Sequence, residues 1–310
     1  MTIATTEVLG GIAAPTFVIL GRQLCDNREF HDDTTGWLGW NGGTISRVAD
    51  AYNIYGDYSL RVYDDSGAVY EGAQYAFDMT SGQRYLARLL IRRHVDNDAQ
   101  PKVEWMDLDN NNLGTVSWTS AVWSARPDSE YNVITNLSDP AEATGEGEFI
   151  VRVAASAASD TGYAYLAHVG IWEVEDVIEL TLRDDGGYAE LPSSEQHRFD
   201  PVFDYEHEND GGLMTRQIRG YRHTASLSYV LAQNQDSVDL RRLFDAGLVC
   251  YIPHNESECL YSMIGRCEGA FTAGYPQAGS PKGDKYIGHS HAPVFRAVDL
   301  VPTIPWELGT

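Results

Sequence analysis

The stretch RYLARLLIR, Arg84–Arg92, alternates apolar and polar side chains with a period of two, the pattern of an extended strand. Ser59–Tyr63 (SLRVY), Lys102–Leu108 (KVEWMDL), Glu148–Ala154 (EFIVRVA) and Ala164–Val174 (AYLAHVGIWEV) repeat the pattern. Turn signals separate these runs, and no segment with a 3.6-residue period lies between them. Short strands at regular spacing with no intervening helix predict a β-sandwich over residues 24–175.

The second half reads differently. Val177–Leu182 (VIELTL) is expected to be a strand and residues 183–220 a polar loop region. Ala225–Leu231 (ASLSYVL) alternates again. Asp236–Ala246 (DSVDLRRLFDA) is the one expected helix, with Asp236 or Ser237 able to cap it and Gly247 to stop it. Strands are expected at Leu248–Ile252, Tyr261–Ala270 and Pro293–Leu300, with a Gly/Pro/Lys loop over 274–289. Near the start, Thr16–Leu20 (TFVIL) reads as a strand that could join either half. The expected organisation is an arm at 1–23, a first domain at 24–175 and a second at 176–310.

The chain has 310 residues and a formal net charge of −23, from 26 Asp and 19 Glu against 19 Arg and only 3 Lys. The excess is general: residues 1–175 carry 25 acids and 11 bases, residues 176–310 carry 20 and 11. Such a surface repels phosphate and argues against general nucleic-acid binding. No apolar run long enough for a membrane span is present. Glu7 precedes the apolar stretch at 8–21 and the first basic residue is Arg22, so no secretory signal is expected. Four Cys do not make a disulfide framework, and the acceptor patterns at Asn136 and Asn255 are expected to stay unmodified. High Asp with little Lys resembles proteins of salt-loving archaea and their viruses. A high-GC genome favouring Arg codons would leave the same mark.

From Asn27 the sequence reads NREFHDDTTGWLGW, AYNIYGDYSLRVY, AVYEGAQYAFDMTSGQRYLARLLIRR and, later, GYAYLAHVGIWEV. This resembles the jelly-roll carbohydrate-binding modules attached to many glycoside hydrolases. Gly56, Ser59, Leu60, Arg61 and Val62 match the family's Gly-x-Tyr-Ser-Leu-Arg-Val strand, and Gly82 and Tyr85 its Gly-x-x-Tyr strand start. The resemblance implies a jelly roll that binds glycan. Calcium is possible there, but Gly170 and Ile171 stand where acids of the family's late strand would be.

A sugar ring stacks its C–H groups on aromatic faces and needs polar side chains beside it. The candidate glycan-binding residues are Trp40, Tyr52, Tyr55, Trp105, Trp118 and Trp123, with Asn110, Asn111 and Asn112 as polar partners. Each has a plainer reading. Trp105 alternates with apolar neighbours and suits a core, Tyr52 and Tyr55 suit the cover of a strand edge, and Trp37 falls at the family's structural Trp.

From residue 176 the stretches GYRHTASLSYVL (Gly220–Leu231), DLRRLFDAG, IPHN (Ile252–Asn255) and VFRAVDLVPTIPWE (Val294–Glu307) resemble tube-like β-barrel tail proteins of tailed viruses, including distal tail and baseplate ring proteins. That resemblance implies a sandwich or barrel with one short helix. Its partners would be further copies of the chain in a ring, neighbouring tail proteins and host-surface glycan, and its location the virion. The alternative is a non-viral carbohydrate-binding protein or, less well supported, a glycan hydrolase. No nucleophile-elbow, P-loop or His-Glu-x-x-His motif occurs, so no enzyme is expected. His254, Cys259, Cys267, His289 and His291 are weak zinc candidates, because they lack Cys-x-x-Cys spacing and also read as core and loop residues.

Overall fold

Strand β6 (Arg84–Arg93) is buried along both faces, and this places it between two layers. Tyr85, Ala87, Leu89 and Ile91 point into one core, while Leu86 and Leu90 join two other apolar clusters. The computed structural model describes residues 16–64, 71–94, 101–117, 128–153, 162–179, 194–208, 214–232, 241–252, 262–273 and 289–301. These residues are mainly β, with a short helix at 241–245. No helix among them is long and apolar enough to cross a membrane.

The first layer is a five-stranded antiparallel sheet. It contains β2 (Trp37–Trp40), β5 (Glu71–Met79), β7 (Pro101–Met106), β8 (Asn112–Ser117) and β10 (Gly145–Val153), in the order β2-β5-β10-β7-β8. Opposite lie β3 (Thr44–Ala49), β4 (Tyr58–Asp64), β6, β9 (Asn132–Leu137) and β11 (Gly162–Glu179). Trp37, Tyr75, Trp105 and Phe149 from the first layer meet Leu60, Leu89, Ile91, Leu166 and Ile171 from the second in one core. This is the expected jelly-roll sandwich.

The second layer does not end there. β11 continues past position 175, where a domain boundary was expected, and the separate strand expected at Val177–Leu182 is its continuation as far as Glu179. The C-terminal part of β11 pairs with β1 (Thr16–Gln23), in register Phe17↔Ile178 and Val18↔Val177. The other edge of β1 pairs with β14 (Leu248–Ile252), in register Phe17↔Tyr251. Beyond it follow β15 (Met263–Ala273), β16 (His289–Val301), β13 (Met214–Ala232) and β12 (Ser194–Glu208). One eleven-stranded sheet therefore runs through both halves of the chain.

Residues 194–208 and 214–220, expected to be loop, are strand. β12 and β13 form a long hairpin, paired from Ser194↔Ser228 to Glu208↔Met214. Backbone pairing builds it, so a polar sequence suffices; β12 is an edge strand among the described residues and interrupts its own row of N–H donors at Pro201. The expected helix is described over 241–245 only, its earlier part lying outside the described residues. Leu243 on it packs against Phe17, Tyr251 and Phe295, whose rings stack at 5.2–5.3 Å.

The other face of this second sheet covers the outside of the jelly roll. Val18, Leu20, Cys250 and Ile264 meet Leu86, Leu137 and Trp172, and Val301 meets Leu90, Val133 and Ala167. Polar groups are sealed into the same seam. The Arg88 guanidinium pairs with the Asp299 carboxylate, and the hydroxyls of Thr135 and Ser262 lie 2.5 Å apart.

Candidate functional site

With one face of the jelly roll covered, its five-stranded sheet is the face left over. Trp105 and Phe149 point inward from β7 and β10, so their neighbours Glu104, Glu148, Ile150 and Arg152 point outward. The register sets Trp40, Gly72, Arg152 and Lys102 side by side in one row across four strands. Leu38, Gln74, Ile150, Glu104 and Thr115 form the next row. Gly72 has no side chain to stand between its neighbours, and the Arg152 guanidinium lies 4.2 Å from the centre of the Trp40 ring. Arg152 also pairs with the buried Glu104 carboxylate, and the Gln74 Nε2 donates to Glu148 Oε1 at 3.0 Å. The Arg152 guanidinium covers one face of the Trp40 indole and Glu104 is buried, so the other indole face and the half-buried Gln74 amide and Glu148 carboxylate are what this surface offers to a hydroxylated ligand.

The structure does not bring the four described candidate aromatics, Trp40, Tyr52, Tyr55 and Trp105, together. Trp40 is half-buried on this face. Trp105 is a core residue, 0% exposed and 4.8 Å from the Phe149 ring, so no ligand can stack on it. Strand periodicity put its face inward, and the outward residues Gln74, Glu104, Glu148 and Arg152 were legible only as its polar neighbours.

Tyr55 is also spoken for. Its hydroxyl donates to the Leu300 carbonyl at 2.6 Å and accepts from the Leu300 N–H at 2.5 Å, and its ring stacks on His168 at 3.8 Å. Burial pushes its phenol well above the usual range, so it stays protonated. Tyr55 is a bolt between the two layers and no sugar platform. Tyr52 lies on the other sheet from Trp40, after β3, and is 52% exposed. Trp118 and Trp123 lie outside the described residues. Asn110 takes φ +61 in a turn, and Asn111 Nδ2 donates to Asp107 Oδ2 at 3.1 Å, so both serve that turn.

At the late strand, Ile171 is buried in the core and Gly170 is closed over by the Trp172 ring, where a Cβ would come within 1.9 Å. His168, at φ +47, faces Arg28 Nη2 at 3.1 Å and Glu29 Oε1 at 3.4 Å. The His168 hydrogen bond holds the Glu29 carboxyl down at about 2. A guanidinium and an imidazole thus sit where the calcium expectation needed acids. Among the described residues no group of three His, Cys, Asp or Glu is placed to hold a metal ion. Burial pushes the Cys267 thiol up to about 12. His289 and His291 lie on β16 opposite Ala273 and Phe271, while His254 and Cys259 lie outside the described residues.

No family model matches the chain and no curated protein matches it. Solved structures do. An arabinose-bound MgGH51 α-L-arabinofuranosidase is 16% identical, with a TM-score of 0.40, over 56% of this chain and 29% of that one. The enzymatically active domain of tailspike protein 4 of bacteriophage CBA120 is 10% identical, with a TM-score of 0.34, over 48% and 21%. The CBM22-1 xylan-binding domain of Paenibacillus barcinonensis Xyn10C is 12% identical, with a TM-score of 0.34, over 48% and 93%. The chain thus spans under a third of the first two proteins and nearly all of the third.

Proposed function

We propose that this chain is a non-enzymatic assembly and attachment protein, a tail component of a virus of a halophilic archaeon or related prokaryote. Its second half would build a ring at the distal tail or baseplate with further copies and neighbouring tail proteins. Its jelly roll would turn the five-stranded face toward host-surface glycan. The observation that carries this reading is the shared sheet: β1 and β11 join the two halves and cover one face of the jelly roll, leaving the Trp40–Arg152–Glu104 face directed away. A net charge of −23 fits subunits whose mutual repulsion is screened in high salt.

Light scattering after gel filtration, in low and in molar potassium chloride, tests the assembly part. A discrete ring-sized oligomer strengthened by salt is expected. A monomer at every salt sinks the ring and leaves the second reading, a non-viral carbohydrate-binding protein, which the polar Trp40 face favours on its own. Release of reducing sugar from host envelope, abolished by Glu104→Gln or Glu148→Gln, would overturn both in favour of a hydrolase.

A further inference from the structure

We infer that a second surface, the cleft between residues 51–57 and β13, takes one neutral sugar residue against the exposed ring of Tyr52. The inference rests on the glycan-binding part of the reading above but assigns the contact to a different surface.

The cleft, of about 310 Å³, is lined by Tyr52, Asn53, Asp57, Ile218 and Arg219 among others. Small-molecule sites start at roughly 300 Å³, so it suits one ring and no more. Five large hydrophobic side chains are exposed among the described residues, and two of them, Tyr52 at 52% and Ile218 at 47%, line this one cleft.

Tyr52 is held rigidly from beneath. Its backbone N–H donates to Asp50 Oδ1 at 3.0 Å. Asp50, 5% exposed, also accepts from Arg92 Nη2 and from the Tyr131 hydroxyl, each at 2.7 Å. The Tyr131 hydroxyl lies 2.6 Å from Ser59 Oγ. The Arg92 guanidinium sits over the rings of Tyr165, Tyr52 and Tyr131 at 4.0, 4.9 and 5.5 Å. One face of Tyr52 is thus backed by a buried cation and its other side meets solvent.

The two walls are tied together before any ligand arrives. Arg219 Nε of β13 donates to the Ile54 carbonyl at 2.6 Å, and the neighbouring Tyr55 anchors the 51–57 segment to Leu300 of β16. A preformed cleft with a fixed aromatic face saves the ordering cost of binding. Ile218 and Tyr52 offer apolar surface to the C–H groups of a sugar, and Asn53 and Asp57 offer polar partners to its hydroxyls. Asp57 and Arg219 line the cleft with one charge of each sign, and the acidic surface as a whole disfavours uronates, so the ligand class is neutral.

The test is saturation-transfer NMR in molar potassium chloride, with the methyl glycosides of glucose, galactose, mannose and N-acetylglucosamine as probes. At least one probe should bind, and Tyr52→Ala and Ile218→Asp should each weaken it about ten-fold. Tyr52→Phe, which keeps the ring, should leave it unchanged. Ile218→Asp alters an exposed side chain away from the Asp50 network, so its result stands even if Tyr52→Ala fails to fold. Loss of binding in Trp40→Ala with retention in Ile218→Asp overturns the cleft and keeps the sheet-face reading. No binding of any probe to the unaltered protein overturns both.

Discussion

Arg88 of β6 and Asp299 of β16 form an ion pair between the jelly roll and the C-terminal part of the same eleven-stranded sheet, their side chains 2% and 7% exposed. The Arg88 Nη2 also donates to the Ser262 carbonyl at 3.3 Å. This pair joins positions 211 residues apart and sits in a seam otherwise lined by Leu86, Leu90, Val133 and Ile264. Asp299→Ala leaves a buried guanidinium with no counter-charge and should cost about 3–5 kcal/mol in chemical denaturation. Molar potassium chloride should not reduce that cost, because buried pairs are poorly screened. A loss below about 1 kcal/mol would show that the seam is not closed around this pair.

Stability should fall on acidification in two stages. Burial holds His168 below its usual 6.5 and His223 well below it; His223 also faces His197, with ring nitrogens 2.7 Å apart. Below about 6.5 the unfolded chain takes up protons that the folded chain refuses, so their contribution is present above 6.5 and is lost as pH falls toward the depressed values. Glu29 adds a second stage. Its carboxyl is lowered from 4.5 to about 2, so its contribution is present above 4.5 and is lost between those values. Denaturation midpoints at half-unit steps from pH 7.5 to 3 should show both slopes, and His223→Gln should flatten the first. An unchanged first slope in that variant would remove His223 from the account.

The two tryptophans of the jelly roll should separate cleanly. Trp105→Ala empties a fully buried site beside Phe149 and Tyr85 and should cost about 3–5 kcal/mol. Trp40→Ala changes a half-buried ring on the outer face and should cost much less. If the sheet face binds glycan, Trp40→Ala should also weaken glycan binding by about ten-fold. Thermal melts read the first difference and titration calorimetry the second; equal destabilisation by both changes would contradict the assigned faces.

Gly72→Ala should disturb the sheet itself. A Cβ there would lie 2.2 Å from the Val151 carbonyl oxygen and 2.9 Å from the Arg152 Cα, both backbone atoms that cannot swing away. The expected loss is about 1–3 kcal/mol. Because Gly72 lies between Trp40 and Arg152, the variant should also change Trp40 fluorescence. A silent substitution would mean that the strands pass further apart than described.

Much of the jelly roll was legible in the chain, because apolar, β-branched and aromatic residues recur along its strands between turn signals, even in β6, which is buried on both faces. Arg84–Arg92 and Ala164–Val174 fall within strands of the sandwich, and so does the expected run from Glu148 as far as Val153. The resemblance carried by Gly56, Leu60 and Tyr85 pointed to the same fold. The β12–β13 hairpin was legible only at Ala225–Leu231; the rest is polar and leaves no apolar period. The candidate site was read least well. Trp105, Tyr55, Tyr52 and Trp40 are all aromatic residues near turns or strands. Only three-dimensional packing sends the first into the core and the second into the seam, and leaves the other two partly open to solvent.

The sequence by itself determined the fold class, the acidic surface and most strand positions, because composition and local periodicity are properties of neighbours along the chain. Tertiary structure alone decided that β1 joins β11 to β14 and that Asp299 meets Arg88. It also decided which aromatic faces stay open. The physical reason is range: alternation says which side chains share a face, but what covers that face is set by contacts between residues as many as 245 positions apart, which no local pattern encodes.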